Sequence, residues 1–318
     1  MRRILFCVLL GIIPSAPLIC AQDPTGALAN LSDLSRRGQI PQLIQAANSL
    51  LANDKLTPTD QGVVLTYLGH GYQQSGDFAK ATASYEKALT VIDRDGQHSS
   101  EYATTLGTLA TLYVDTGQIA TAKHVLLRSL TLFENENDHA GSAMMWDDLA
   151  TIAADQHSRG EARKYMARSI AESHLAPNIS NDELVALATT EARIAECEGD
   201  PRTAISGYQH ALALWKQSHS DQHPDTAWLY VLLGGAYLQA GDLPDARENT
   251  NHGLTLLEVG SGSQSRRYFA AELACARVLD ASGAHDEASK LRKEAEAGLN
   301  TNTDRQRAQQ QISISALR

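Results

Sequence analysis

The sequence predicts an all-α chain, a solenoid of antiparallel helix pairs, on three observations. Ala81, Ala122, Ala162, Ala204, Ala246 and Ala288 recur at spacings of 41, 40, 42, 42 and 42 residues, each in a similar helical context. A period of that length belongs to stacked helical hairpins. Within each period apolar residues return at helical spacing on both sides of a short break, which carries a glycine in all units but one. Aromatic residues make up only 5% of the 318 residues while hydrophobic residues reach 43%, so small and aliphatic side chains must do the packing. A solenoid grows without enlarging any single core, so this length calls for no second domain.

The first 21 residues stand apart from the repeats. Arg2 and Arg3 precede an apolar run from Ile4 to Ile13, and Pro14-Ser15-Ala16-Pro17 interrupts it before Leu18-Ile19-Cys20-Ala21. That order is expected of a secretory signal peptide cleaved after Ala21, with lipidation at Cys20 as an alternative disfavoured by bulky Ile19. The prolines break the uninterrupted stretch of roughly 20 apolar residues that a membrane helix needs. Loss of two arginines takes the net charge from −10 to −12. Such an acidic chain is a poor partner for nucleic acid or for an anionic membrane surface. Only Cys197 and Cys275 then remain, in units that are not adjacent, so free thiols are expected and no disulfide frame.

The fold proper opens with a degenerate hairpin within 22–60, marked by Leu31, Leu34, Gly38 and Ile40. Six units follow, at about 61–100, 101–140, 141–181, 182–222, 223–264 and 265–298. In the second, Leu106, Leu109, Ala110 and Tyr113 form one apolar stripe, Thr116-Gly117-Gln118 breaks the helix, and Ile119, Ala122, Leu126 and Leu130 form the next. So short a turn makes the helices antiparallel neighbours. The alanine sits where the two backbones come closest, and a larger side chain there would cost about 1–3 kcal/mol.

These residues resemble the tetratricopeptide repeat. The first unit carries Leu65, Leu68-Gly69, Tyr72, Gly76, Phe78, Ala81, Tyr85 and Ala88; the fifth carries Tyr230, Leu233-Gly234, Tyr237, Gly241, Leu243 and Ala246, with Thr250 and Gly253 departing. The family's unit is 34 residues; the extra length here falls between units, as in the similar long-period repeats of kinesin light chains. His223-Pro224-Asp225-Thr226-Ala227, opening the fifth unit, is especially like them, with Pro224 suited to a first helical turn. The resemblance covers roughly residues 26–298 and implies a right-handed superhelix whose concave face holds a protein or peptide.

Some units depart from the pattern. The third has Ala153 for the tyrosine and His157 for the glycine; the fourth places Glu191 and Ala195 where apolar bulk is wanted. The sixth ends with Arg292 in place of an aromatic residue, as a solvated terminal repeat would. Residues 299–318 are expected as a polar tail, its Ile312-Ser313-Ile314-Ser315 end either a frayed terminus or a short strand able to dock on a partner's sheet.

No motif for catalysis stands out, so no enzyme, metal or cofactor is expected. There is no G-x-S-x-G elbow, phosphate loop or H-E-x-x-H helix. Gly260-Ser261-Gly262-Ser263 reads as a connector because no lysine follows it. His219 and His223 around Asp221, Asp138-His139 and His285-Asp286 are expected as solvated loop groups, too few in any one place for zinc. Asp147-Asp148 and Glu134/Glu136 are placed on helix ends or connectors, with their charge in water. The resemblance implies that the first helix of each unit lines the groove. Its free face would hold His70, Gln73, Gln74, Thr111, Asp115, Asp147, Thr151, Asp155, Arg193, Glu196, Trp228, Gln239 and Arg277, with Trp228 a candidate anchor. Thr66 and His70 stand where chaperone-binding members carry lysine and asparagine, which argues against that role. The expected function is non-catalytic binding of a protein or peptide outside the cytoplasm, in the periplasm or secreted, with self-association in an envelope complex as the alternative and an enzyme with an unrecognised site as the third reading.

Overall fold

A computed structural model describes residues 24–52, 56–93, 100–261 and 266–316. The expected leader over 1–21 lies outside the described residues, as do Gly262 and Ser263 of the connector. Among the described residues all regular structure is helical, in fourteen helices: α1 (Pro24–Arg36), α2 (Ile40–Leu51), α3 (Pro58–Gln74), α4 (Phe78–Ile92), α5 (Ser100–Asp115), α6 (Ile119–Glu136) and α7 (His139–Asp155). The second half holds α8 (Arg159–Leu175), α9 (Asn181–Glu198), α10 (Pro201–Trp215), α11 (Pro224–Ala240), α12 (Leu243–Ser261), α13 (Arg266–Ala281) and α14 (His285–Ala316). Each odd-numbered helix pairs with the even-numbered helix after it, and each pair stacks on the next.

Local chemistry starts and stops these helices. Thr57, Asp77, Asp138, Ser180 and Asp200 cap α3, α4, α7, α9 and α10 by accepting from a backbone N–H in the first turn. Ser180 and Glu183 complete a capping box. The turn inside each hairpin needs one left-handed residue, supplied by Gly38, Gly76, Gly117, Gly199, Gly241 and Gly283 at φ +65° to +83°. In the third unit His157 takes that conformation at φ +56°. The glycine is missing but its backbone is kept, at a strain of roughly 1–2 kcal/mol.

All six alanines are completely buried. Seven residues after each comes another small buried residue: Ala88, Ser129, Ser169, Ala211, Gly253 and Ala295. A Cβ on Gly253 would come within 2.6 Å of the Ala227 carbonyl oxygen, so this departure from the pattern marks a closer approach of α12 to α11. Ser129 and Ser169 turn their hydroxyls to the carbonyls of Ala103 and Ala143, each at 2.7 Å. Ala153 and Ala195 stand at the tyrosine position of the third and fourth units, both buried in the core. Cys197 and Cys275 are free thiols.

The C-terminal segment corrects an expectation. Residues 299–316 continue α14 rather than forming a tail with an extended Ile312–Ser315 end. No glycine or proline follows Gly298, and glutamine, arginine and alanine propagate a helix well. Four alternating residues are too few to oppose that. At 1.5 Å per residue the 32 residues of α14 extend about 48 Å, and α14 packs against α4, in the first unit. No described helix is long and apolar enough to cross a membrane.

Candidate binding groove

Odd-numbered helices line one face of the array, and polar side chains join one to the next. Thr66 of α3 meets Thr105 of α5 at 2.9 Å, and Gln73 Nε2 donates to Asp115 Oδ2 at 2.7 Å and more weakly to Thr111. Thr151 of α7 meets Thr190 of α9 at 2.9 Å, and Arg193 lies 3.4 Å from Asp155. Gln239 of α11 donates to the Glu196 carbonyl at 2.9 Å.

A second set of bonds ties three of the lining helices, α3, α9 and α13, to their own partners. Tyr85 donates to Gln73, Tyr208 donates to Glu196, and Arg292 pairs with Asp280, always across twelve residues. These donors all stand four residues after the alanine. At Arg292, in the solvated terminal repeat, an ion pair takes the place of the tyrosine hydrogen bond. Burial pushes the Tyr85 and Tyr208 phenols up, and burial also raises Glu196, opposed by the Tyr208 bond.

The array curves until its ends meet. A Cβ on Gly38, in the α1–α2 turn, would lie 3.0 Å from both His223 Cδ2 and Pro224 Cδ at the start of α11. Asp225 pairs with Arg267 of α13, and the field of this pair reaches His70 of α3. Arg267 is in turn stabilised in its charged form by Asp115 of α5, and Arg277 of α13 favours ionised Glu196 of α9. The concave faces of the first, second, fourth and sixth units thus confront one another.

Against this geometry the expected groove residues divide. Gln73, Thr111, Asp115, Thr151, Asp155, Arg193, Glu196 and Gln239 take part in the rungs. Arg277 is exposed. His70 and Gln74 are bonded to each other, with Ser35 on the far side of the His70 ring. Trp228 is half-buried against the core of α11–α13, so its indole is already engaged by the chain. Asp147 is 4% exposed, in the wall rather than on it. It and Asp148 lie mid-way along α7, not at a helix end or connector. Burial pushes Asp147 up to about 7, and burial with the neighbouring Asp147 charge pushes Asp148 up to about 8.

Comparison with known proteins matches this architecture. A tetratricopeptide-repeat family model matches residues 60–135 and 184–259. The fold is a tetratricopeptide-like helical solenoid. Its fold is similar to a Rap protein solved with Competence and Sporulation Factor, at 13% identity and TM-score 0.59, covering 91% of this chain and 98% of that one. It is also similar to the Rap conjugation gene regulator of plasmid pLS20 solved with the Phr* peptide, at 11% identity and TM-score 0.54, covering 91% and 96%. A putative kinesin light chain of Podosopora anserina matches at 15% identity and TM-score 0.35, covering 78% and 99%. No curated protein matches the sequence.

The solenoid also buries groups expected in solvent. His219 and His223 are 9% and 7% exposed. His219 stacks on Trp215 with ring centroids 3.5 Å apart, and His223 packs edge-on to both rings. Trp215 Nε1 donates to Thr226, whose hydroxyl donates to the Ser220 carbonyl. This corner between α10 and α11 abuts the N-terminal hairpin. The histidine spacing and the His-Pro-Asp motif were visible in the sequence, but the hairpin they meet lies far away along the chain. Among the described residues no cluster of three His, Cys, Asp or Glu side chains is placed to hold a metal.

Proposed function

We propose that this solenoid is a binding scaffold that holds an extended segment of a protein partner along its odd-numbered helices. The observation that carries the reading is the set of polar side chains from Gln73 to Arg277 along the odd-numbered helices, with opposed acidic and basic groups. Such a surface can bond a peptide backbone and select its charges, and solenoids concentrate binding on one face. The likeness to folds described with a bound factor or peptide supports the same reading.

The test is affinity capture from an envelope fraction with the intact chain and with Arg193→Glu/Arg277→Glu. The variant should keep its helix content and lose the captured proteins. Capture of the same proteins at undiminished yield would sink the groove.

Residence outside the cytoplasm is part of the proposal, supported by the basic start and apolar run of residues 2–21. N-terminal sequencing of the mature protein should begin at Gln22. A lipid-modified Cys20 start would make it an anchored lipoprotein, and retention of Met1 would remove export by this signal.

A further inference from the structure

The α1–α2 turn and the α10–α11 corner are far apart in sequence, yet they enclose one cavity of about 180 Å³. Ser35, Gly38, His70, Asp182, Trp215 and His223 are among its walls. Gly38 leaves no gap between the turn and His223–Pro224. Two imidazoles hold the hairpin, His223 from the α10–α11 corner and His70 from the adjacent α3, and their hydrogen bonds specify neutral rings. His223 Nδ1 accepts from the Asp225 N–H at 3.1 Å and so caps α11. Its proton is therefore on Nε2, and His223 donates it across the closure to the Ser35 backbone. The Gln74 amide nitrogen donates to His70 Nε2 at 3.1 Å, so His70 carries its proton on Nδ1 and donates to Ser35 Oγ, also at 3.1 Å.

We propose that the N-terminal hairpin is an acid-released gate over the groove, latched by neutral His70 and His223. A second proton on either ring must sit on a nitrogen that is already an acceptor. On His223 it would oppose the Asp225 N–H, breaking the cap of α11 and turning the ring toward the Asp225 carboxylate, 3.6 Å away. That turn withdraws Nε2 from Ser35. On His70 it would oppose the Gln74 NH2 and force that amide to turn.

Burial opposes the added protons, while the largest neighbouring charge, Asp225, favours them. The groups facing the two rings are Asp225, already paired with Arg267, together with His219, which lies 3.6 Å from Asp182, and Arg36 in the cavity wall. Burial holds both imidazoles below their usual range, with Arg267 acting in the same direction; Asp225 opposes this at both rings, and the Ser35 bond also opposes it at His223. The sign follows from linkage. A ring released from the closure protonates near 6.5, so the closed form is intact above that pH and loses stability as pH falls below it. That opening admits a partner rests on the groove reading; the opening itself does not.

Hydrogen exchange of the intact chain at pH 7.5 and 5.0, corrected for intrinsic rates, tests the gate. Protection in α1, α2 and the first turn of α11 should fall at least tenfold in acid, with α5–α8 unchanged and a larger radius of gyration in solution scattering. No change, or a uniform loss along the array, overturns the gate. His223→Asn retains a cap acceptor but does not titrate, and His70→Gln cannot gain a charge. Each should blunt the acid response, and an undiminished response in both overturns the latch. Acid opening with unaltered partner capture would leave the gate standing and count against the groove.

Discussion

Replacing Asp147 and Asp148 together by asparagine should stabilise the solenoid by about 3 kcal/mol at pH 8 and leave it almost unchanged at pH 5. Asp147 Oδ2 accepts from Thr190 at 3.0 Å, but Oδ1 has no hydrogen-bond partner among the described residues. The charges acting on Asp147 from α9 are Glu191, which repels it, and Arg193, which also serves Asp155. Asp148 is half-buried beside it, and the neighbouring Asp147 charge raises its pKa. Each carboxyl is therefore easier to keep neutral in the folded chain than in the unfolded one, where it ionises near 3.9. For a raised carboxyl pKa, stability is highest in acid and drains away as pH climbs from about 4 through 7 to 8. Asparagine copies the neutral form, so its advantage grows over that window. The full shifts of both groups would give more than 3 kcal/mol, but the pair is coupled and ionises stepwise. Chemical denaturation at the two pH values measures the difference. An equal gain at both, or a loss at pH 8, would refute the assignment.

Trp215→Ala should cost about 3–5 kcal/mol, as truncation of a buried aromatic residue does, and should loosen a helix pair far from it in sequence. Trp215 packs with Val185, Ala211 and Leu229, stacks on His219 and bonds Thr226. Its loss empties the joint between the fourth and fifth units. Units of a solenoid depend on their immediate neighbours, so the array should melt in two steps instead of one. Because His223 leans on the same indole, α1 and α2 should also lose exchange protection. Unchanged protection there would show that the corner does not support the closure.

Much of this was legible because its causes are local. The alanine period, the residue four places later and the left-handed turn are set by packing and backbone sterics within one hairpin. That is why Ala81 to Ala288 share one environment despite weak sequence matches in the third and fourth units. Where a unit broke the pattern, structure answered within a few ångströms: His157 adopted the glycine conformation, Gly253 replaced a methyl by a closer helix, and Arg292 paired with Asp280. Trp228, Asp147 and the corner histidines were harder to place. An amphipathic position names a face, but burial on it depends on how far the next pair is rotated.

The sequence by itself determined the all-helical repeat, the antiparallel pairing and the row of side chains available to a groove, since each follows from contacts a few residues to one period apart. Only the tertiary structure decided that the N-terminal hairpin meets the α10–α11 corner, that α14 packs against α4, and that Asp147 is enclosed. Small rotations between successive units add up along the array, and no single repeat encodes their sum.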